Sequence, residues 1–341
     1  MLLIQTAAAC AQTTPAEIDT LAIRETGQGQ VDFSSKAINE LSGITYYGTD
    51  LFALVSDKGG KLGFATIEID RETGKITRAT LEDTQPLKGG RDLEDIALDW
   101  TGCVLFAVDE ADQSLTEFQS FSGERHASAP MPGVFKKARA NLGLEALTVS
   151  REHFTVWVAN EEPLTVDGPR ATSEAGGLIR LQSFGVTMEP ANQFAYRVDP
   201  HRGSDNLLER AQSGIVGLVA LPNGGLIVME RELGGAVIPS FRIRLYLIDT
   251  EDATDTSAIE ALTEDNTTPV RKQLLFESNT GFANFEGITL GPRLNNGDYT
   301  LILVSDNGGG TINPQNLLSL RIPASLVERP PKEQALASES D

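Results

Sequence analysis

The stretch Asp92-Leu93-Glu94-Asp95-Ile96-Ala97-Leu98, followed after a turn by Val104-Leu105-Phe106-Ala107-Val108-Asp109-Glu110, decides the fold. An apolar strand opens on a -[Glu/Ser]-[Gly/Asp/Ala]-[Ile/Leu]- step, and a second apolar strand ends on a carboxylate. The phrase has four further copies, starting at Ser42-Gly43-Ile44, Glu145-Ala146-Leu147, Val216-Gly217-Leu218 and Glu286-Gly287-Ile288. The second strands read Leu51–Asp57, Val104–Glu110, Thr155–Glu161, Leu226–Glu230 and Leu301–Asp306. A sheet unit recurring every ~50–70 residues predicts blades stacked around an axis.

Each copy continues into further β-branched and aromatic runs between Gly, Asn and Asp turns. These are Phe64–Ile69 and Ile76–Leu81, then Leu115–Phe121 with a weak fourth strand, then Gly177–Gln182 and Gln193–Val198. Arg242–Asp249 and Lys272–Phe276 follow, and finally Leu317–Ile322. The expectation is an all-β propeller of five four-stranded blades, with Thr20–Glu25 completing the last blade. A sixth blade would have to lie within 165–210 or 250–282. Helical periodicity is weak and best near Phe135–Asn141. Long insertions at Gly123–Asn141, Leu164–Gly176, Asp199–Ser213 and Asp249–Val270 are walls of a site or surface decoration.

Residues 1–18 read as a leader and tether, 19–324 as the propeller domain, and 325–341 as a polar tail. Met1–Cys10 is a short apolar run ending in small residues before a cysteine. It reads as a bacterial lipoprotein signal, although no Lys or Arg precedes Cys10. The expected location is exported, periplasmic or at the outer membrane, with Cys10 lipidated and membrane contact only through that anchor. Cys103 is expected as a buried small apolar side chain, and no internal disulfide is expected.

The 341 residues carry 28 basic and 48 acidic side chains, a net charge of -20. Such a field opposes nucleic acid and anionic membrane surfaces and favours cations. In an antiparallel pair, the start of the inner strand and the end of the second share one end of the sheet. Glu94, Glu145 and Glu286 therefore belong beside Glu110, Glu161 and Asp306 at one mouth of the axis. Asp57 and Glu230 complete an acid in every second strand. Two carboxylates 5 Å apart repel by roughly 3 kcal/mol at an effective dielectric near 20. Such a ring needs protons, cations or bases, and Arg91, Arg231 and Lys58 lie within a few residues of the acids.

Three uses are open. The acids can cap backbone N–H groups, hold a hard cation, or transfer protons. The metal set is Asp57, Glu110, Glu161, Glu230 and Asp306; the catalytic set is Glu94, Glu145, Glu286 and Arg231. Arg91, Lys58 and Asn307 are the substrate-binding candidates. Oxygen donors without a Cys/His cluster suit Ca²⁺ rather than Zn²⁺. There is no Gly-x-Ser-x-Gly elbow and no phosphate-binding Gly-x-x-x-x-Gly-Lys loop. His126, His153 and His201 fall in turns or insertions and read as solvated.

The phrases Asp92-Leu93-Glu94-Asp95-Ile96, Gly143-Leu144-Glu145-Ala146-Leu147 and Asn160-Glu161-Glu162-Pro163-Leu164 carry a family resemblance. So do Val228-Met229-Glu230-Arg231-Glu232, Asp252-Ala253-Thr254-Asp255, Asn284-Phe285-Glu286-Gly287-Ile288 and Leu303-Val304-Ser305-Asp306-Asn307. From about Leu41 to Ile322 the chain resembles the phytase-like family, "esterase-like activity of phytase". The resemblance implies a propeller hydrolase acting on phosphate or carboxylic esters, and it carries over no catalytic set. A looser resemblance, through the Leu-Ser-Gly and Asp-Leu-Glu phrases, is to the SdiA-regulated propeller lipoproteins. That one implies a non-catalytic envelope binding module. A monomer acting on a small ester or phosphoester is the expected form.

Overall fold

The computed structural model describes residues 22–26, 31–33, 37–203, 211–234, 240–309 and 315–328. Cys10, the expected leader and the tail from residue 329 lie outside them.

Five antiparallel sheets are present, each with its strands in radial order. The first blade is Leu41–Gly48, Leu51–Ser56, Lys61–Ile69 and Ile76–Pro86. The second is Leu93–Leu98, Val104–Asp109, Ser114–Gln119 and Arg125–Ser128. Leu144–Ser150, Thr155–Asn160, Leu178–Phe184 and Pro190–Arg197 make the third. Gln212–Ala220, Leu226–Gly234, Ser240–Asp249 and Arg271–Gly281 make the fourth. The fifth has Asn284–Arg293, Tyr299–Asp306 and Asn316–Ile322. Two short N-terminal strands, Arg24–Glu25 and Val31–Asp32, both pair with Asn316–Ile322. No sixth blade is present among the described residues. The weak fourth strand of blade two is only four residues long and exposed. The expected helical turn is the 3-10 segment Gly133–Lys137.

Apolar burial between neighbouring blades holds the wheel. Ile44, Phe52 and Leu54 of blade one pack with Ile302, Val304 and Leu317 of blade five, which joins the two ends of the ring. Corresponding clusters fill the other four seams. Each buried Ile, Leu or Val contributes about 1.5–3 kcal/mol, so the seams outweigh any exposed ion pair. The small residue of the repeated phrase follows from how closely inner strands pass. A Cβ on Gly287 would lie 2.9 Å from the Ser42 carbonyl, and one on Gly43 would lie 2.6 Å from the Asp95 carboxylate.

Ile44, Ile96, Leu147, Leu218 and Ile288, one from each inner strand, line a cavity of about 180 Å³ on the axis. All five are buried. They sit two residues beyond the position where the acids project, so the acidic mouth stands over an apolar floor. The Asp249–Val270 insertion does not wall that mouth. It braces the outer strand of blade three, with Thr256 and Asp255 bonded to Gln193. Arg180 ties it to the neighbouring insertion through a bidentate pair with Asp167 at 2.7 Å and a bond to the Ile259 carbonyl at 2.9 Å.

Candidate functional site

Every inner strand carries a β-bulge at the repeated phrase. Leu93 faces Asp109 and Asp95 faces Val108, which leaves Glu94 as the extra residue. Ser42, Glu145, Val216 and Glu286 are the extra residues of the other blades. A bulge takes its extra residue out of the ladder and re-aims the side chain, and Glu94, Glu145 and Glu286 are turned into the mouth. Beside each bulge stands the residue one step beyond its second-strand partner: Asp57, Glu110, Glu161, Arg231 or Asp306. Glu94, Glu145 and Glu286 with these five line a cavity of about 410 Å³, joined by Asp92, Lys58, Arg170 and Gln212, whereas Ser42 donates to the Leu93 carbonyl and Val216 packs in the seam between blades four and five.

Glu230 is not at this mouth, which corrects the expected alignment. Glu230 pairs with Ile215, the register position of Ser56, Asp109, Asn160 and Ser305. One residue of slip reverses the face of a side chain in a strand. Glu230 is therefore fully buried between blades three and four. It accepts from Tyr196 Oη at 2.6 Å and Lys272 Nζ at 2.7 Å. The fourth blade gives the mouth a base, Arg231, in place of two acids.

Arg231 is the internal counter-charge. Its guanidinium donates to Glu161 at 2.5 Å, to Asn284 Oδ1 at 3.1 Å and to Glu286. Burial still dominates both carboxylates. Glu161 is pushed up to about 7 by burial, against Arg231, with Glu162 and Glu110 adding to the rise. Glu286 is pushed up to about 8 by burial, with Asp306 and Glu161 adding to it. Asp57 rises to about 6, again through burial, despite Lys58 at 3.1 Å. The low-dielectric floor and the crowding of like charges account for all three.

Glu94 and Glu145 are raised well above the usual carboxylate range as well. Burial comes first for both, then Glu286 and Glu110 for Glu94, and Glu94 and Glu161 for Glu145. Among the described residues, neither accepts a hydrogen bond. Glu145 as a residue is only 8% exposed, and its carboxylate faces the cavity without a protein donor. Fold-maintaining carboxylates normally find donors, as Glu110 does with the Gly143 N–H at 2.5 Å and Asp306 with the Gly308 N–H at 2.7 Å. Capping thus explains part of the ring and leaves Glu94 and Glu145 unexplained. Carboxylate oxygens of Asp92, Glu94 and Glu110 lie within 4.8 Å of one another. Three oxygen donors in that space fit a hard divalent cation.

The other sequence candidates fall as follows. Lys58 lines the cavity, 60% exposed, reaching Asp57 at 3.1 Å and Asp92 at 3.5 Å. Arg91 points away to Asp112 at 2.8 Å and is not on the lining. Asn307 Oδ1 accepts the Glu40 and Gly309 N–H groups, so its amide closes a loop. Cys103 is exposed, contrary to expectation, because the turn folded around Asp99 ends there. His126 and His153 are exposed, whereas His201 is buried. The sequence reading missed Asp92 and Arg170 on the lining. Asp92 was legible as a second acid two residues before Glu94; Arg170, inside an insertion, had no periodic signal.

Five blades around an axis whose one mouth is lined with carboxylates define a β-propeller. The description "Esterase-like activity of phytase" (Phytase-like) matches residues 36–309, and the chain belongs to that family. No curated protein matches it. Among solved structures, it is similar to the Myxococcus xanthus glutaminyl cyclase at 12% identity, covering 87% of this chain and 96% of that one, TM-score 0.39. It is similar to streptogramin B lyase at 11% identity, covering 85% and 96%, TM-score 0.36. A nidogen/laminin complex gives 11% identity, 86% and 88% coverage, and TM-score 0.39. Likenesses of this size carry no functional argument.

Proposed function

We propose that this chain is a cation-assisted hydrolase of phosphate or carboxylic esters, working at the acidic mouth. The observation that carries the proposal is Glu145: buried, facing the cavity, and without a donor, beside three carboxylates that converge. Asp92, Glu94 and Glu110 would hold the cation, and Ca²⁺ is the ion their hard oxygens suit. Bound there, it would polarise an ester oxygen and offset the negative lining that otherwise repels an anionic substrate.

The protein's own residues supply the proton chemistry. Glu145 in its carboxylate form takes a proton from water as that water's oxygen bonds to the phosphorus or carbonyl carbon. The bond to the ester oxygen breaks, and the same proton leaves on the alcohol. Arg231 serves Glu161 and Glu286 rather than substrate. Its positive charge limits how far those acids add to the field on Glu145. Lys58, at the rim, meets an incoming anion. An exported chain anchored through Cys10 belongs to the same proposal, since sites of this kind outside cells operate at ~10⁻⁴–10⁻³ M calcium. No helix of the described residues is long and apolar enough to cross a membrane.

The test uses the full chain, stripped of metal, on p-nitrophenyl phosphate and p-nitrophenyl acetate. Turnover is expected only with Ca²⁺, together with a rise in melting temperature of several degrees; an ion at ~100 times its Kd adds about 2.7 kcal/mol. Glu94→Gln is expected to remove both effects. Calcium-dependent stabilisation with no turnover would favour a binding module instead. Neither effect would end the proposal.

A further inference from the structure

Arg170 is the cation on the lining whose orientation is fixed and whose donors are not all engaged. Its Nε and Nη2 both donate to Glu162, the latter at 2.6 Å, and Nη2 also reaches Gln212 Oε1 at 3.2 Å. Nη1 meets no acceptor among the described residues. The side chain is 44% exposed, while that of Glu162 is 1% exposed. A carboxylate so buried is costly unless paired, and this one is devoted to orienting a guanidinium at the rim.

The segment leading to Arg170 is fixed as well. Arg139 donates to the Pro163 and Gly168 carbonyls, both at 3.0 Å. The Thr165 N–H reaches the Lys137 carbonyl at 2.9 Å, and Asp167 is held by Arg180. The guanidinium is thus preorganised, which lowers the ordering cost of binding. The other bases differ. Arg231 is 8% exposed and taken up by Glu161 and Glu286, and Lys58 lies against Asp57 and Asp92.

We infer that Arg170 is the specificity-determining residue of the site, selecting phosphomonoester substrates by donating from Nη1 to a phosphate oxygen. The inference rests on the hydrolase reading above and narrows it. A planar, always-charged guanidinium held in place is the side chain suited to phosphate oxygens. In a mostly acidic cavity, where Arg231 and Lys58 are engaged by carboxylates, it supplies the anion selectivity that the acids oppose.

The experiment compares kcat/KM for p-nitrophenyl phosphate and p-nitrophenyl acetate, in Ca²⁺, for the natural chain and Arg170→Gln. The phosphate-to-acetate ratio is expected to fall at least tenfold, mainly through KM, with part of the loss recovered in Arg170→Lys. The double variant Glu162→Gln with Arg170→Gln removes the orphaned buried charge and is expected to give the same ratio if the single variant folds poorly. Equal losses on both substrates would mean a structural strap and overturn the inference. If the natural chain hydrolyses neither ester, the hydrolase reading fails by itself. Calorimetric titration with inorganic phosphate in Ca²⁺ then decides Arg170. Binding weakened tenfold or more by Arg170→Gln sustains its role; unchanged binding, or none by the natural chain, overturns it.

Discussion

Replacing Arg231 with methionine is expected to lower the melting temperature by on the order of 10 °C at pH 8 and by less than a third of that at pH 5.5. Removing one partner of a buried ion pair typically costs about 3–5 kcal/mol, because the remaining charge has no counter-ion. Here two carboxylates, Glu161 and Glu286, lose the same guanidinium. Both are acids whose folded pKa, about 7 and about 8, lies above the unfolded carboxylate value. Protonation therefore favours the folded state. Stability from these groups is fully present below about pH 4 and is lost as pH rises through 7 and 8. The metal-free natural chain should already melt lower at pH 8.5 than at pH 5. In Arg231→Met the acids take up protons more readily still, so the penalty is largest where protons are scarce. Thermal denaturation at both pH values checks this. An equal loss at the two would mean that Arg231 acts by filling space, not by charge.

The dependence on a single arginine also explains what was legible in the sequence. Blade number follows from the recurring inner-strand phrase, because each blade must supply one inner and one second strand to close the ring. The bulge is not visible in the phrase itself. Yet it turns Glu94, Glu145 and Glu286 into the mouth while Asp95, one step on, straps blades together by accepting the Leu147 N–H at 2.9 Å. The error at Glu230 has the same origin. In Val228-Met229-Glu230-Arg231-Glu232 two acids flank a base, and the strand continues to Gly234. Only the bulge opposite it, between Ile215 and Gly217, decides which of the three faces the axis. Arg170 was invisible for another reason. It reaches the mouth through an insertion held by Arg139 and Arg180, and the pairing that fixes it is set by tertiary contacts with no local pattern.

Glu145→Gln should separate what the acids do for the fold from what they do for chemistry. The change keeps the size of the side chain and removes a cavity-facing carboxylate that no protein group bonds. Its like-charged neighbours are Glu94, Glu161 and Glu286. A carboxylate pair at 5 Å costs roughly 3 kcal/mol at an effective dielectric near 20. Burial and these like charges disfavour the ionised carboxylate, so the glutamine variant should gain in melting temperature over the natural chain as pH rises. Turnover of phosphate and acetate esters should fall at least ~100-fold, the usual contribution of a positioned general acid or base. Calcium stabilisation should persist, because Asp92, Glu94 and Glu110 remain. A gain in stability bought with lost function is the pattern expected of an active-site group held in an unfavourable environment. A lower melting temperature at pH 8 would mean that the carboxylate supports the fold, and undiminished turnover would assign the proton transfer to another residue.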